Sequence, residues 1–374
     1  MSGTWWVSDA DLDDDQSVAV QGTSEAESFL IRGPAGSGKT NILLLRAKWF
    51  RLKDISDFKI IVFTRTLRDF IREGCEEYGV PWQTVVTSTQ FFRELLDEYG
   101  VGYETSDNFE ADRVLLCGKA QSLIEEKGIS NTIEALLVDE CQDYLDTELH
   151  IFRKLATRLI MAADSRQSIY KSTQTPNLLE KLVNNKSINL KYHYRSGLRI
   201  CRVADAVLRD SANFAPVKED CLYDEAARPS SVEIDELPNL DAQFRKIIER
   251  LPAQLDAYPG ELIGVLFPKR EQVSSFQDEL ARHSFGEEGE RVRVDTMHGA
   301  KGLEFRAVHL GGCEALYRMG ATQKRLIYTA ILRAQTAVAI YYTGSVPGYL
   351  ESAVAKLSPP KGSPRLSDLF KKKS

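Results

Sequence analysis

Residues 33–40 read Gly-Pro-Ala-Gly-Ser-Gly-Lys-Thr, with the apolar run Phe29-Leu30-Ile31 before them and Asn41-Ile42-Leu43-Leu44-Leu45-Arg46 after them. The pattern G-x-x-x-x-G-K-[ST] set between a strand and a helix is a phosphate-binding loop. Gly36 and Gly38 let the backbone wrap so that its N–H groups face phosphate oxygens, where the helix N-terminus adds favourable potential, and Gly33 and Ser37 are expected in the same nucleotide-binding loop. Lys39 is expected to reach the outer phosphates of a nucleotide and Thr40 to bind Mg²⁺. A strand that feeds such a loop belongs to a sheet covered by helices, so the loop already points to an α/β fold.

Working outward, Ala135-Leu136-Leu137-Val138-Asp139-Glu140-Cys141-Gln142-Asp143 is a second apolar strand that delivers Asp139 and Glu140 at its carboxyl end. Open α/β sheets carry their chemistry at that end. Asp139 suits Mg²⁺ and Glu140 suits orientation of a water, a combination that implies hydrolysis. Further strands are predicted at Lys59–Thr64, Val85–Ser88 and Arg158–Ala162. In the second half they are predicted at Val232–Leu237, Leu262–Phe267, Val292–Thr296, Ala307–Leu310 and Ala337–Tyr342. Stretches of helical spacing separate them, which is the pattern of parallel sheets covered by helices. The polar stretch Lys171–Ser187 predicts a boundary: 1–187 an ATP-binding domain, 188–356 a second domain, and 357–374 a flexible basic tail.

The chain has 374 residues, 43% of them apolar and 27% charged, enough for two buried cores. With 48 basic against 54 acidic side chains the surface is not generally basic, which excludes non-specific coating of nucleic acid but leaves room for a local groove. Six scattered cysteines without a C-x-x-C pair suggest neither zinc nor an iron–sulfur cluster. A reduced, cytoplasmic, unexported protein is the expectation, since the N-terminus is acidic and no apolar run approaches membrane-spanning length.

The ordered motifs resemble the UvrD/Rep/PcrA-like superfamily 1 DNA helicases, along most of residues 12–343, in a compact form with reduced accessory insertions. Asp139–Asp143 matches the family's D-E-x-Q-D, and Thr296-Met297-His298-Gly299-Ala300-Lys301-Gly302-Leu303-Glu304-Phe305 matches T-x-H-x-x-K-G-L-E-F at every fixed position. The resemblance implies two RecA-like P-loop domains with ATP in the cleft between them. It implies Gln16 at the adenine edge, Gln142 and Gln167 at the γ-phosphate, Tyr194 stacked on adenine, and Arg195 at the γ-phosphate. Glu304 would contact the ribose, and Arg333 would be the arginine that completes the hydrolytic site. Phe63, Thr64, Arg65, Thr89, Tyr170, Thr296 and His298 fall at the family's nucleic-acid contacts. Three positions depart from the family: Ala163 replaces Gly, His193 replaces Asn and Leu332 replaces Thr.

By resemblance the activity is 3′ to 5′ movement on single-stranded DNA, or on a tailed duplex, driven by ATP closing the two domains. Only about fifty residues separate Thr89 from Asp139 and about a hundred separate Arg195 from Thr296, leaving little room for the family's insertions. Single-strand translocation is therefore better supported than autonomous unwinding, for which a partner protein is implied. Arg365–Phe370 resembles a bacterial sliding-clamp-binding peptide, with Leu366, Leu369 and Phe370 as its anchors; a solvated basic tail is the alternative. Two other readings stay open: a nucleotide-gated DNA-binding or partner-regulating ATPase subunit, and RNA in place of DNA.

Overall fold

The computed structural model describes residues 7, 11–106, 108–167, 174–209, 215–318 and 322–357. They divide into two compact units: residues up to Arg195 together with His298–Glu304, and Ser196–Met297 together with the residues from Phe305.

The first unit is built on a six-stranded sheet of β1 (Phe29–Arg32), β2 (Phe58–Val62), β3 (Val85–Thr87), β4 (Ile133–Val138), β5 (Ala156–Ala163) and β6 (Ser187–Asn189). The strand order is β3-β2-β4-β5-β1-β6, and every neighbouring pair is parallel. Parallel strands need helical crossovers, which bury both faces, and this explains the continuous apolar runs in place of alternation. Leu30, Ile61, Leu136, Val138 and Met161 enter one core cluster, while Phe29, Ile31, Ile60, Leu137 and Ile160 enter another. The two clusters are the two faces of the sheet, each covered by helices such as Lys39–Leu52 and Ser88–Glu98.

The second unit carries a five-stranded sheet of β7 (Ser231–Glu236), β8 (Ile263–Phe267), β9 (Val292–Thr296), β10 (Phe305–Leu310) and β11 (Ala334–Tyr342). Its order is β7-β11-β10-β8-β9, again parallel throughout. Helices Leu240–Ala257 and Arg270–Leu280 pack Phe244, Ile247, Leu251 and Phe276 onto Ile263, Val265 and Phe267. Both units are α/β, each a parallel sheet covered by helices, as expected of RecA-like domains.

The ten strands expected from the sequence are present, two with the expected ends and the others with ends shifted by at most three residues. The eleventh, β6, lies at the end of the polar stretch, where the sequence suggested only a boundary. Leu178, Leu179, Leu182 and Val183 in that stretch are buried, and β6 pairs with β1. Short apolar clusters between Asn and Lys residues do not produce a readable period, so the element was masked by its polar flanks. Among the described residues no helix is long and apolar enough to cross a membrane.

Candidate nucleotide-binding site

Four strand ends of the first sheet converge on the site. The phosphate-binding loop follows β1, Asp139 follows β4, Asp164 follows β5, and Phe63 and Thr64 follow β2. In the loop, Gly36 and Gly38 have φ of +69° and +84°. That left-handed region favours glycine. A Cβ on Gly36 would also lie 2.7 Å from His193 Cε1, and one on Gly38 would lie 2.9 Å from Gln16 Nε2. The loop is thus closely walled.

Each wall residue has a defined attachment. Gln16 closes a capping box with Asp13 and donates from Nε2 to the Ser37 carbonyl at 3.0 Å. His193 is fully buried and its Nδ1–H donates to the Ala35 carbonyl. An imidazole N–H can serve there as an Asn amide would, which accounts for the departure at this position. The Tyr194 N–H donates to the Gly36 carbonyl at 3.0 Å, and its hydroxyl donates to Asp13 at 2.5 Å. Burial followed by the Asp13 hydrogen bond pushes that phenol up. Ala163, the second departure, closes β5 in ordinary strand backbone, so the methyl is accommodated.

Lys39 is buried and donates from Nζ to the carbonyls of Gly33, at 3.1 Å, and Pro34, at 2.9 Å. Burial lowers its pKa, and Asp164, Glu140 and Asp139 oppose that shift. Thr40 donates from Oγ1 to Asp139 Oδ2 at 2.7 Å. The two metal-site candidates are therefore in contact. Burial and the adjacent Glu140 push the Asp139 carboxyl up to about 6, against the opposing Thr40 hydrogen bond and Lys39 charge. Glu140 itself has φ +51°, left-handed backbone on a residue that disfavours it. Such strain persists only where the surroundings over-determine it, and it clusters at functional sites.

The surroundings of Glu140 form one continuous network. Gln142 donates from Nε2 to Glu140 Oε2 and accepts at Oε1 from the Asp164 N–H at 3.0 Å. Gln167 donates from Nε2 to Asp164 Oδ2 at 3.0 Å. Lys301, 2% exposed, donates to the Asp143 carboxylate and to the Gln167 carbonyl at 2.6 Å, and its Nζ lies 3.7 Å from Glu140 Oε2. Burial raises the Asp143 carboxyl to about 6 although Lys301 opposes the shift. Burial also pushes the Asp164 carboxyl up, but Arg166, Lys39 and its hydrogen bonds outweigh this and leave it lowered.

Arg195 and Glu304, expected from the second half of the chain, group with the first unit and form an ion pair. His298 groups there too, half-buried, its pKa lowered by burial and then by Lys301. Arg333 belongs to the second unit, buried, with Nε donating to the Thr329 carbonyl at 3.2 Å. Leu332, the third departure, is wholly buried.

Among the residues expected to touch nucleic acid, Phe63 is 4% exposed, packed edge-on against Tyr144 and Phe109 with the Arg113 guanidinium over its ring. Thr64 caps helix Arg65–Tyr78 by accepting the Leu67 N–H at 3.1 Å, and Arg65 is exposed. The Thr89 hydroxyl bonds that of Thr87 at 3.2 Å, and Thr296 ends β9 half-buried in the second unit. Tyr170, Leu366, Leu369 and Phe370 lie outside the described residues. Lys301, Asp143 and Asp164 were not among the expected site residues, although Lys301 and Asp143 occupy fixed positions of the quoted motifs. Their signal was the motif itself, whose partners only the fold supplies.

The site fits a nucleoside triphosphate with Mg²⁺. Ser37 is 1% exposed and its Oγ has no hydrogen-bond partner, an orphan donor beside a cradle that admits no Cβ at Gly36. The Thr40–Asp139 oxygen pair is the hard donor set such an ion takes.

Comparison with known proteins gives a family match in each half of the chain. The AAA domain family matches residues 16–173, and the UvrD-like helicase C-terminal domain family matches residues 291–341. No curated protein sequence matches the chain. A solved structure of the PRRSV helicase is similar over 87% of this chain at 16% identity and a TM-score of 0.42, and the chain spans 54% of that helicase. With an AAA-domain match in its first half and a UvrD-like helicase C-terminal match in its second, the chain is supported as a UvrD/Rep-like superfamily 1 helicase.

Proposed function

We propose that the chain is an ATP-dependent DNA translocase and helicase that moves 3′ to 5′ on single-stranded DNA, with hydrolysis tied to closure of its two units around ATP. The observation that carries this reading is the network joining Glu140 through Gln142, Asp164 and Gln167 to Lys301, beside the Thr40–Asp139 pair.

In this reading the loop N–H groups, Ser37 and Lys39 hold phosphate oxygens, Gln16 and Tyr194 hold the base, and Thr40 and Asp139 hold Mg²⁺. The metal supplies charge neutralisation at the phosphates. Glu140 takes a proton from the attacking water, and Gln142 fixes the carboxylate that does so. Gln167 reports on the γ-phosphate. Arg195 and Arg333 balance the negative charge that grows during phosphoryl transfer, a contribution of about 10³–10⁵ in rate where an arginine completes such a site. Thr296, His298, Thr64 and Arg65 are proposed strand contacts, and cytoplasmic location is part of the same proposal.

The test is ATP hydrolysis with and without single-stranded DNA, repeated for Glu140→Gln and Arg333→Ala. Stimulation by DNA that both variants lose supports the reading; hydrolysis indifferent to DNA overturns it. A partner-regulating ATPase without autonomous unwinding is the second reading. It is favoured because the stretch between Thr89 and Asp139 carries helices Ser88–Glu98 and Phe109–Lys127 and strand β4, with no further subdomain among the described residues. Hydrolysis stimulated by single strands without opening of a 3′-tailed duplex selects it.

A further inference from the structure

Cys201 and Cys221 of the second unit stand with their sulfurs 3.9 Å apart. Cys201 is fully buried on helix Leu198–Val207, and Cys221 is half-buried immediately after the turn Val217–Asp220. A second attachment holds the turn to the same helix: the Asp205 carboxylate accepts the N–H groups of Val217, at 2.9 Å, and Lys218, at 3.0 Å. Both sulfhydryls lie 3.4 Å from the Ser196 carbonyl. The two sulfurs therefore share one acceptor, from opposite ends of a 20-residue separation.

We propose that Cys201 and Cys221 are a redox-active dithiol that closes to a disulfide on reaction with a peroxide, Cys221 attacking and Cys201 resolving. Reaching bonding distance requires an approach of about 2 Å, within the reach of side-chain rotation. The Cys201 hydrogen bond lowers the Cys221 thiol to about 7, so a substantial thiolate fraction exists near neutral pH, and the thiolate is the nucleophile. Burial pushes Cys75 up to about 11 and Cys117 up to about 12, and also raises Cys141 and Cys313.

The Cys221 thiolate attacks one oxygen of hydrogen peroxide, the O–O bond breaks, and the departing hydroxide takes a proton to become water. Cys221 is then a sulfenic acid. The Cys201 sulfur attacks it, the S–S bond forms, and the S–O bond breaks with the Cys201 proton leaving in a second water. Two thiols lose two electrons and two protons, and the peroxide takes both. A small dithiol reverses the step by exchange. Closure withdraws both S–H groups from the carbonyl of Ser196, the residue after Arg195.

The experiment treats the full chain with near-stoichiometric hydrogen peroxide, blocks remaining thiols with N-ethylmaleimide, and maps peptides by mass spectrometry. The expected product links the peptides of Cys201 and Cys221, is two hydrogens lighter than their sum, and disappears with dithiothreitol. Cys221→Ser abolishes it, and Cys201→Ser leaves a sulfenic acid that dimedone captures. A second measurement needs no variant: in native protein Cys221 should react with iodoacetamide at least about tenfold faster than Cys75, Cys117, Cys141 and Cys313. Equal rates, a cross-link between other cysteines, or sulfinic acid without a linked peptide each overturn the proposal.

Discussion

At Glu140 the chain holds a carboxylate on left-handed backbone, and Gln142 fixes its oxygen. Glu140→Gln should lower hydrolysis by about 10²–10⁴, the usual contribution of a general base, while nucleotide binding persists; a fluorescent nucleotide titration beside a phosphate-release assay separates the two. Lys301→Ala leaves Asp143 a buried acid without its cation. Breaking a buried pair typically costs about 3–5 kcal/mol, so the thermal midpoint should fall by several degrees, measured by scanning fluorimetry. A different residue governs acid sensitivity. His309 of β10 is fully buried, with Nδ1 3.1 Å from the Tyr341 hydroxyl and Nε2 2.7 Å from Gln254 Oε1, and burial followed by Arg250 lowers it to about 3. The unfolded chain binds a proton here near pH 6.5 and the native chain does not. Stability from this site is therefore whole above pH 6.5 and is lost as pH falls toward 3, by up to about 1.4 kcal/mol per pH unit. Denaturant midpoints between pH 7 and 4.5 should fall less steeply for His309→Gln than for the parent chain. Lys39, Thr40 and Asp139 stood out in the sequence because their motifs have fixed local spacing, and the fold brings Thr40 and Asp139 into contact. Lys301 was not, because its meaning lies in Asp143, 158 positions away in the chain.

Elements were legible where both flanks carried turn chemistry and the centre was apolar, as in β1, β4 and β8. Strand β6 has three residues and one half-buried side chain, Ile188, so no two-residue period could mark it. Phe63, which falls at a family nucleic-acid contact by resemblance, is enclosed by other rings and Arg113. Thr64 has a local duty at the start of helix Arg65–Tyr78 in addition to its proposed strand contact. Thr64→Ala should destabilise by about 1 kcal/mol through the lost cap, and Thr64→Ser should restore it. If Thr64 also touches the strand, Thr64→Ala weakens single-stranded DNA binding, measured by fluorescence anisotropy, at temperatures where the fold is intact.

For the whole molecule, the excess of acidic over basic residues means that any DNA strand it binds would be held by a local set of cations and not by overall charge. Binding of single-stranded DNA should therefore weaken with salt at a slope of about −0.7 per phosphate contacted, and Arg65→Ala should reduce that slope by less than about one. The parallel sheets and their order were foreseeable only as a class, since register and neighbour choice depend on side-chain fit that spacing does not encode. One connection has a practical consequence for how this chain can be divided. Residues 298–304 leave β9 of the second sheet, group with the first unit, and return to β10. The first unit is thus completed by a loan from late in the chain, and a fragment ending at Arg195 would lack Lys301 and Glu304. Such a fragment should melt well below the intact chain and bind nucleotide poorly, however carefully its end is chosen. Synthesis of the first 195 residues leaves this unit unfinished, and it becomes whole only after about a hundred more have been made.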